Sequence, residues 1–172
     1  MRRVPLLFTA RRAIVVLSVL ASLTLAPLSA SAQCRHFCKG GMDLGLGFGG
    51  GSTNGDFSFS LAGNAGYFVA DGLVLGVSTV YQSAPEYILP EAYARYYLPL
   101  DFSVTPFLIG KLGRLYGLEE GWPDASIASG GVGLASFLSK NVAFQVWVLY
   151  QSVFHDAYAG GWDFGGGIGF YP

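Results

Sequence analysis

The sequence predicts an all-β protein: a closed, antiparallel, up-and-down transmembrane β-barrel of about eight strands behind a cleaved signal peptide. Three observations predict it. Charged residues make up 12% of the chain, about half the share of an ordinary soluble domain, so too few exist to cover a polar exterior. Runs in which large apolar residues alternate with small or polar ones recur along the chain, and period two marks a strand with two unlike faces. Past Ala32, no stretch of about 18 residues is apolar without a polar or Gly interruption. A membrane crossing there must therefore use strands, and lipid tolerates them only when the sheet closes and leaves no edge.

The remaining composition fits. Aromatic residues are 15% of the chain and glycines number 25, as an apolar exterior around a narrow interior requires. The formal net charge is −1, so there is no basic field, and nucleic acid is excluded as an expected partner.

Residues 1–32 read as a signal peptide. Arg2, Arg3, Arg11 and Arg12 give a positive start, Ala13 to Ala26 is uncharged and apolar, and Ala30-Ser31-Ala32 is an A-x-A cleavage site. The apolar run is short for a spanning anchor. Residues 33–41 form a polar lead-in with both cysteines, and the barrel is expected over residues 42–172.

Strand one is expected from Met42 to Gly49, with Met42, Leu44, Leu46 and Phe48 against Asp43, Gly45, Gly47 and Gly49. A Gly/Ser/Thr/Asn loop is expected from Gly50 to Asp56. Strands two and three form the clearest hairpin, Phe57 to Tyr81, around Ala70-Asp71-Gly72. Asp-Gly suits the positive φ of a tight hairpin turn. Phe57, Phe59, Leu61, Gly63, Ala65 and Tyr67 share one face, and Ser58, Ser60, Ala62, Asn64 and Gly66 the other. Leu73, Leu75, Val77, Thr79 and Tyr81 form the large-residue face of strand three.

After a loop at Ser83 to Glu86, strand four is expected from Tyr87 to Leu98, with Glu91, Tyr93 and Arg95 on one face. Pro99 to Ser103 is a short turn, and strand five runs from Val104 to Tyr116. Lys111 and Arg114 fall on opposite faces there, so either Arg114 lies beyond the apolar band or a bulge shifts the register. A longer polar loop, Gly117 to Asp124, precedes strand six at Ile127 to Leu138. Ser139-Lys140-Asn141 is a tight turn. Strand seven sets Val142, Phe144, Val146, Val148 and Tyr150 against Ala143, Gln145, Trp147 and Gln151. Ser152 to Gly161 is a loop, and strand eight sets Trp162, Phe164, Ile168 and Phe170 against Asp163, Gly165, Gly167 and Gly169. Connections after even strands are expected to be short and those after odd strands longer, as transmembrane barrels arrange them.

The large-residue face is expected to meet lipid, and the Gly, Ala, Ser, Asn and Gln face to line the lumen. Tyr67, Tyr81, Tyr96, Tyr150, Trp162 and Phe170 fall near strand ends, where aromatic girdles sit.

Two strand–turn–strand units, Gly66-Tyr67-Phe68-Val69-Ala70-Asp71-Gly72-Leu73-Val74-Leu75-Gly76 and Phe137-Leu138-Ser139-Lys140-Asn141-Val142-Ala143-Phe144, resemble those of small bacterial outer-membrane β-barrels. This is the group shared by the membrane domain of outer membrane protein A and its compact eight-stranded relatives. The resemblance covers nearly the whole mature chain and is specific for architecture rather than function. It implies location in the bacterial outer membrane, contact with its lipid and handling by the barrel assembly machinery. It also implies that the closing strand, through Asp163, Gly165, Ile168 and Phe170, serves as a C-terminal insertion signal, although here Tyr171 and Pro172 follow the aromatic that usually ends it.

Candidate chemistry is sparse. The Gly run from Gly45 to Thr53 lacks the Lys of a phosphate loop and no helix follows it, so no nucleotide or other cofactor is expected. Cys34 and Cys38 are expected to pair as a local disulfide after export. His36 between them raises a metal, but three ligands in a terminal tail make a weak site, and the residues before Cys34 fit lipidation poorly. No metal site is expected. Some barrels of the resembling group modify lipid A with a Ser/His pair. Ser152, His155 and Asp156 are the only such set, and Ser152 and His155 point to opposite faces of an extended strand, so no catalytic residue is assigned.

Asp43, Glu91, Arg95, Lys111 and Asp163 are the expected interior charges. Unpaired charges in a packed interior are costly, so they should bridge. Glu91 and Arg95 are too far apart on one strand to meet, which leaves Lys111 and either Asp43 or Asp163 as partners. The expected function is a non-catalytic structural or interaction role in the cell envelope. The alternatives are an enzyme acting on lipid A or phospholipid and a narrow small-solute channel. A loop-binding partner is not identified.

Overall fold

The computed structural model describes residues 37–53, 56–83, 86–100, 103–118, 123–155 and 160–172. Residues 1–36 lie outside these, including the signal segment and Cys34. The described chain forms one closed barrel, β1-β2-β3-β4-β5-β6-β7-β8, with each strand antiparallel to the next and β1 closing on β8. The strands are β1 (Met42–Thr53), β2 (Asp56–Ala70), β3 (Leu73–Ser83), β4 (Glu86–Tyr97), β5 (Val104–Gly117), β6 (Ala125–Phe137), β7 (Val142–Val153) and β8 (Gly161–Phe170).

Three connections differ from expectation. The loop expected at Gly50 to Asp56 is largely strand: Gly50 pairs with Phe59, Gly51 with Ser58, Ser52 with Phe57 and Thr53 with Asp56. Ser83 and Glu86 likewise pair with each other. Backbone N–H and C=O groups form a ladder whatever the side-chain pattern, so alternation dies out before the strand does. Conversely, β4 and β5 are joined by residues 98–103, a connection longer than a tight turn. The long polar connections on the other rim are residues 118–124 and 154–160.

At the Asp71-Gly72 turn between β2 and β3, Gly72 takes φ +75°. The register shifts by one residue between Phe68 and Ala70 just before it, a bulge that sharpens the twist into the turn. The expected bulge alternative in β5 is not found. Pairing of β5 with β6 is unbroken from Val104 to Leu115. Arg114 is instead an exposed rim residue, 3.6 Å from Asp124 and over the Tyr116 ring.

Large apolar side chains cover the outside. Leu46 is 68% exposed, Val77 63%, Leu112 59% and Phe164 58%, all from mid-strand positions. Residues of the opposite strand face, such as Asp43, Ser78, Glu91 and Gln145, are buried in the barrel. Among the described residues no helix is long and apolar enough to cross a membrane.

The lumen is not only small and polar. Phe68, Val74, Tyr93, Tyr97, Phe107, Ile109, Leu149 and Tyr171 form one buried cluster, and Tyr87, Leu89, Leu115, Ala125 and Ile127 a second. Inward-facing glycines make this possible. A Cβ on Gly66 would come within 2.5 Å of the Tyr93 hydroxyl, and one on Gly165 within 2.5 Å of the Trp147 ring. Glycine on one strand gives the volume that an aromatic ring from another fills.

Candidate functional site

The lumen holds the chemistry. β4 supplies Leu89, Glu91, Tyr93, Arg95 and Tyr97 to the interior, because its alternation puts every second residue inward. The charges that share this strand do not pair with each other. Four residues of strand span about 13 Å, so each reaches across to another strand.

Arg95 Nη1 lies 3.2 Å from Asp43 Oδ2, with both side chains nearly or fully buried. Tyr93 donates to the same carboxylate oxygen at 2.9 Å, and Asn64 Nδ2 donates to the Tyr93 oxygen at 3.2 Å. Arg95 Nη1 also faces the Tyr97 hydroxyl at 2.9 Å and Gln145 Oε1 at 3.1 Å. Gln145 Nε2 donates to the hydroxyls of Tyr97 and Tyr171, which are themselves 2.8 Å apart. The guanidinium carbon sits 5.1 Å from the Phe107 ring centre, 5.3 Å from Tyr93 and 5.8 Å from Tyr97. Arg95 is thus caged by π faces and fixed by a carboxylate, an arrangement that suits a planar, weakly hydrated cation.

Further along the lumen, Lys111 Nζ donates to Glu91 Oε2 at 2.8 Å, and Ser78 Oγ donates to the same oxygen at 3.0 Å. Asp163 faces the lumen within electrostatic reach of Lys111 and Glu91. The expected interior charges therefore separate into two groups: Asp43 with Arg95, and Glu91 with Lys111 near Asp163. Between the groups is a cavity of about 30 Å³, lined in part by Asn64, Ser78, Lys111 and Trp147. One water needs roughly 10–15 Å³, so the cavity is of a size for two or three waters.

Of the proposed insertion-signal residues, Ile168 and Phe170 face outward and Asp163 and Gly165 inward. Tyr171 continues the inward period and enters the Tyr97–Gln145 cluster. Cys38 is disulfide-bonded; Cys34, the chain's other cysteine, lies outside the described residues. Ser152 sits on the outward face at the end of β7 and His155 is exposed beyond it, while Asp156 lies outside the described residues. No group of three or more His, Cys, Asp or Glu side chains that could hold a metal occurs among the described residues.

Sequence reasoning missed Tyr97, Gln145 and Tyr171 as network members. The signal was available: Tyr97 is two residues past Arg95, and Tyr171 two past Gly169, each on the inward face. Phe37, which packs into the same end of the lumen, precedes every strand and gave no periodic signal.

No protein-family model matches the chain, and no curated protein matches it. Solved structures do. The N-terminal β-barrel domain of Pseudomonas aeruginosa OprF superposes with a TM-score of 0.64 at 20% identity, over 78% of this chain and 98% of that one. Neisserial surface protein A (NspA) gives 0.52 at 16% identity, over 76% and 94%. A de novo designed transmembrane β-barrel gives 0.57 at 15% identity, over 80% and 99%. The fold is thus that of the small eight-stranded outer-membrane barrels. A designed barrel on the same fold underlines that architecture alone assigns no role.

Proposed function

We propose that the chain is an outer-membrane β-barrel with a structural or interaction role in the cell envelope and no catalytic activity. The observation that carries this reading is the inside-out distribution of side chains: exposed Leu46, Val77, Leu112 and Phe164 outside, buried ion pairs inside. Water would penalise that exterior, and lipid would not. The outward Ile168 and Phe170 support recognition of the closing strand by assembly machinery, and the lumen leaves the polar rims as the surfaces for a partner.

The narrow-channel reading has the lumenal charges in its favour. Against it stand the packed clusters at both ends and a cavity of about 30 Å³. The enzyme reading has only Ser152 and His155, which the strand does not hold together.

Membrane fractionation with protease directed at the long connections tests location and orientation together. Recovery in the outer membrane, with cleavage from outside the cell, is expected; recovery as a soluble periplasmic protein overturns the reading. An altered lipid A profile in a deletion strain would replace it with the enzyme, and steady conductance in a planar bilayer with the channel.

A further inference from the structure

One end of the lumen is closed by a residue that belongs to no strand. Phe37 stacks on Tyr97, with ring centres 3.8 Å apart and planes 9° from parallel. It meets Tyr171 edge-on at 5.4 Å, and Phe137 and Phe68 at 5.3 and 5.9 Å. These four rings come from the ends of β2, β4, β6 and β8, so they surround the mouth at the rim of the Asp71-Gly72 turn. Phe37 is the fifth ring, and it fills the middle.

The segment that carries it is held as a ligand is held. Gly72 N–H donates to the Phe37 carbonyl at 2.8 Å, and Lys39 N–H to Asp71 Oδ1 at 2.8 Å. Gly40 N–H donates to the Phe68 carbonyl, and Phe68 N–H to that of Gly41, each at 2.9 Å. The chain reverses over the mouth through a turn closed by Gly41 N–H to the Cys38 carbonyl at 3.0 Å. Gly40 takes φ +92° there, which a residue with a side chain adopts only at a cost. An aromatic anchor in a ring-lined pocket with main-chain hydrogen bonds alongside is how extended peptides are recognised. The Gly40 and Gly41 bonds to Phe68 carry the β1–β2 register one step past Met42, whereas Phe37 and Lys39 lie outside any strand pairing and are held at the turn and in the ring pocket.

We propose that this mouth is a binding site for the chain's own N-terminal segment, and that Phe37 is a detachable plug controlling water access to the Arg95 network from that side. The proposal rests on the closed barrel alone and is independent of membrane location. Tyr97 and Tyr171 contact both the plug and Gln145 or Arg95, so withdrawal of Phe37 exposes the polar cluster directly behind them.

The test is hydrogen exchange at the Gln145 side-chain amide and the Trp147 indole, read by NMR on the full chain in detergent micelles. Phe37→Ala should speed exchange at Gln145 on the order of tenfold, the sign of local opening without global unfolding. An oxidised synthetic peptide of residues 33–41, added in excess, should restore slow exchange, and the same peptide with Ala in place of Phe37 should not. Unchanged exchange in folded Phe37→Ala overturns the proposal, and so does fast exchange that the peptide fails to slow. Should Phe37→Ala not fold, Asp71→Ala, which removes the Lys39 anchor, must shift exchange in the same direction and respond to the same peptide; no shift there overturns it equally.

Discussion

Arg95 Nη1 reaches Asp43 Oδ2 at 3.2 Å, although 52 positions separate the two in sequence and their strands, β4 and β1, are not neighbours. The bond crosses the lumen and ties opposite walls together. Removing one partner of a buried pair leaves the other charge uncompensated, which typically costs about 3–5 kcal/mol. Asp43→Ala should therefore lower unfolding free energy in micelles by about 3 kcal/mol or more. The double variant Asp43→Leu with Arg95→Met should lose far less than the two singles together, a coupling of about 0.5–3 kcal/mol in a double-mutant cycle. Denaturant unfolding followed by the mobility of unboiled protein on gels reads both; strict additivity would show that the pair does not act as a unit.

The second charge group is asymmetric, and the asymmetry sets an order. Glu91 receives Lys111 and Ser78 on one oxygen, with Asp163 near both charges. Lys111→Met leaves two interior carboxylates without their cation. Glu91→Gln leaves Lys111 facing Asp163 and keeps a hydrogen-bonding group beside Ser78. Lys111→Met should thus cost about 3 kcal/mol and Glu91→Gln about 1 kcal/mol. The reverse order, in the same unfolding measurement, would show that Asp163 does not couple to Lys111.

Glycines divide by face. A Cβ on Gly76 would lie 2.5 Å from the Ala65 carbonyl and 2.7 Å from both the Gly66 backbone and the Tyr93 ring. Backbone cannot yield as a flexible side-chain end can, so Gly76→Ala should destabilise by about 1–3 kcal/mol. Gly110 faces outward, and a Cβ there meets nothing within 4 Å. Gly110→Ala should be neutral or stabilise by about 0.4–1 kcal/mol, because it restricts the unfolded chain. Equal effects of the two substitutions would refute the space-filling account of the lumenal glycines.

The sequence showed the barrel through its outer face and not through its plug. Outward positions such as Leu44, Leu46 and Phe48 are uniformly apolar, so alternation there is strong and marks the strands. Lumenal positions answer to their neighbours across the barrel. Phe107 is tolerated because Gly133 on β6 has no side chain to oppose it, a relation visible only once β5 and β6 are paired. The interior charges were legible as a set, since a charge is rare in this chain and burial obliges it to pair. Which carboxylate meets Arg95 was not, because the choice between Asp43 and Asp163 depends on how far the strands stagger around the barrel. Thr53 and Gly50 read as loop because a backbone ladder leaves no trace in side-chain pattern.

The exterior offers a test that separates lipid from water as its solvent. Leu46 stands 68% exposed at the middle of β1, flanked in register by Gly63 on β2 and Ile168 on β8. In a soluble barrel Leu46→Arg would place a charge in water at little cost. In a bilayer it sits near the midplane, where an arginine costs about 2–4 kcal/mol, while the same substitution at the interface costs about 0–1 kcal/mol. Trp162, 65% exposed at the start of β8 beside the ring of Tyr150, marks the interface level. Trp162→Arg should therefore lose little beyond the contact between the two rings. The comparison is made by reversible unfolding from phospholipid vesicles, with both variants folded under the same conditions. A Leu46→Arg cost no larger than that of Trp162→Arg would mean that the apolar wall does not face hydrocarbon.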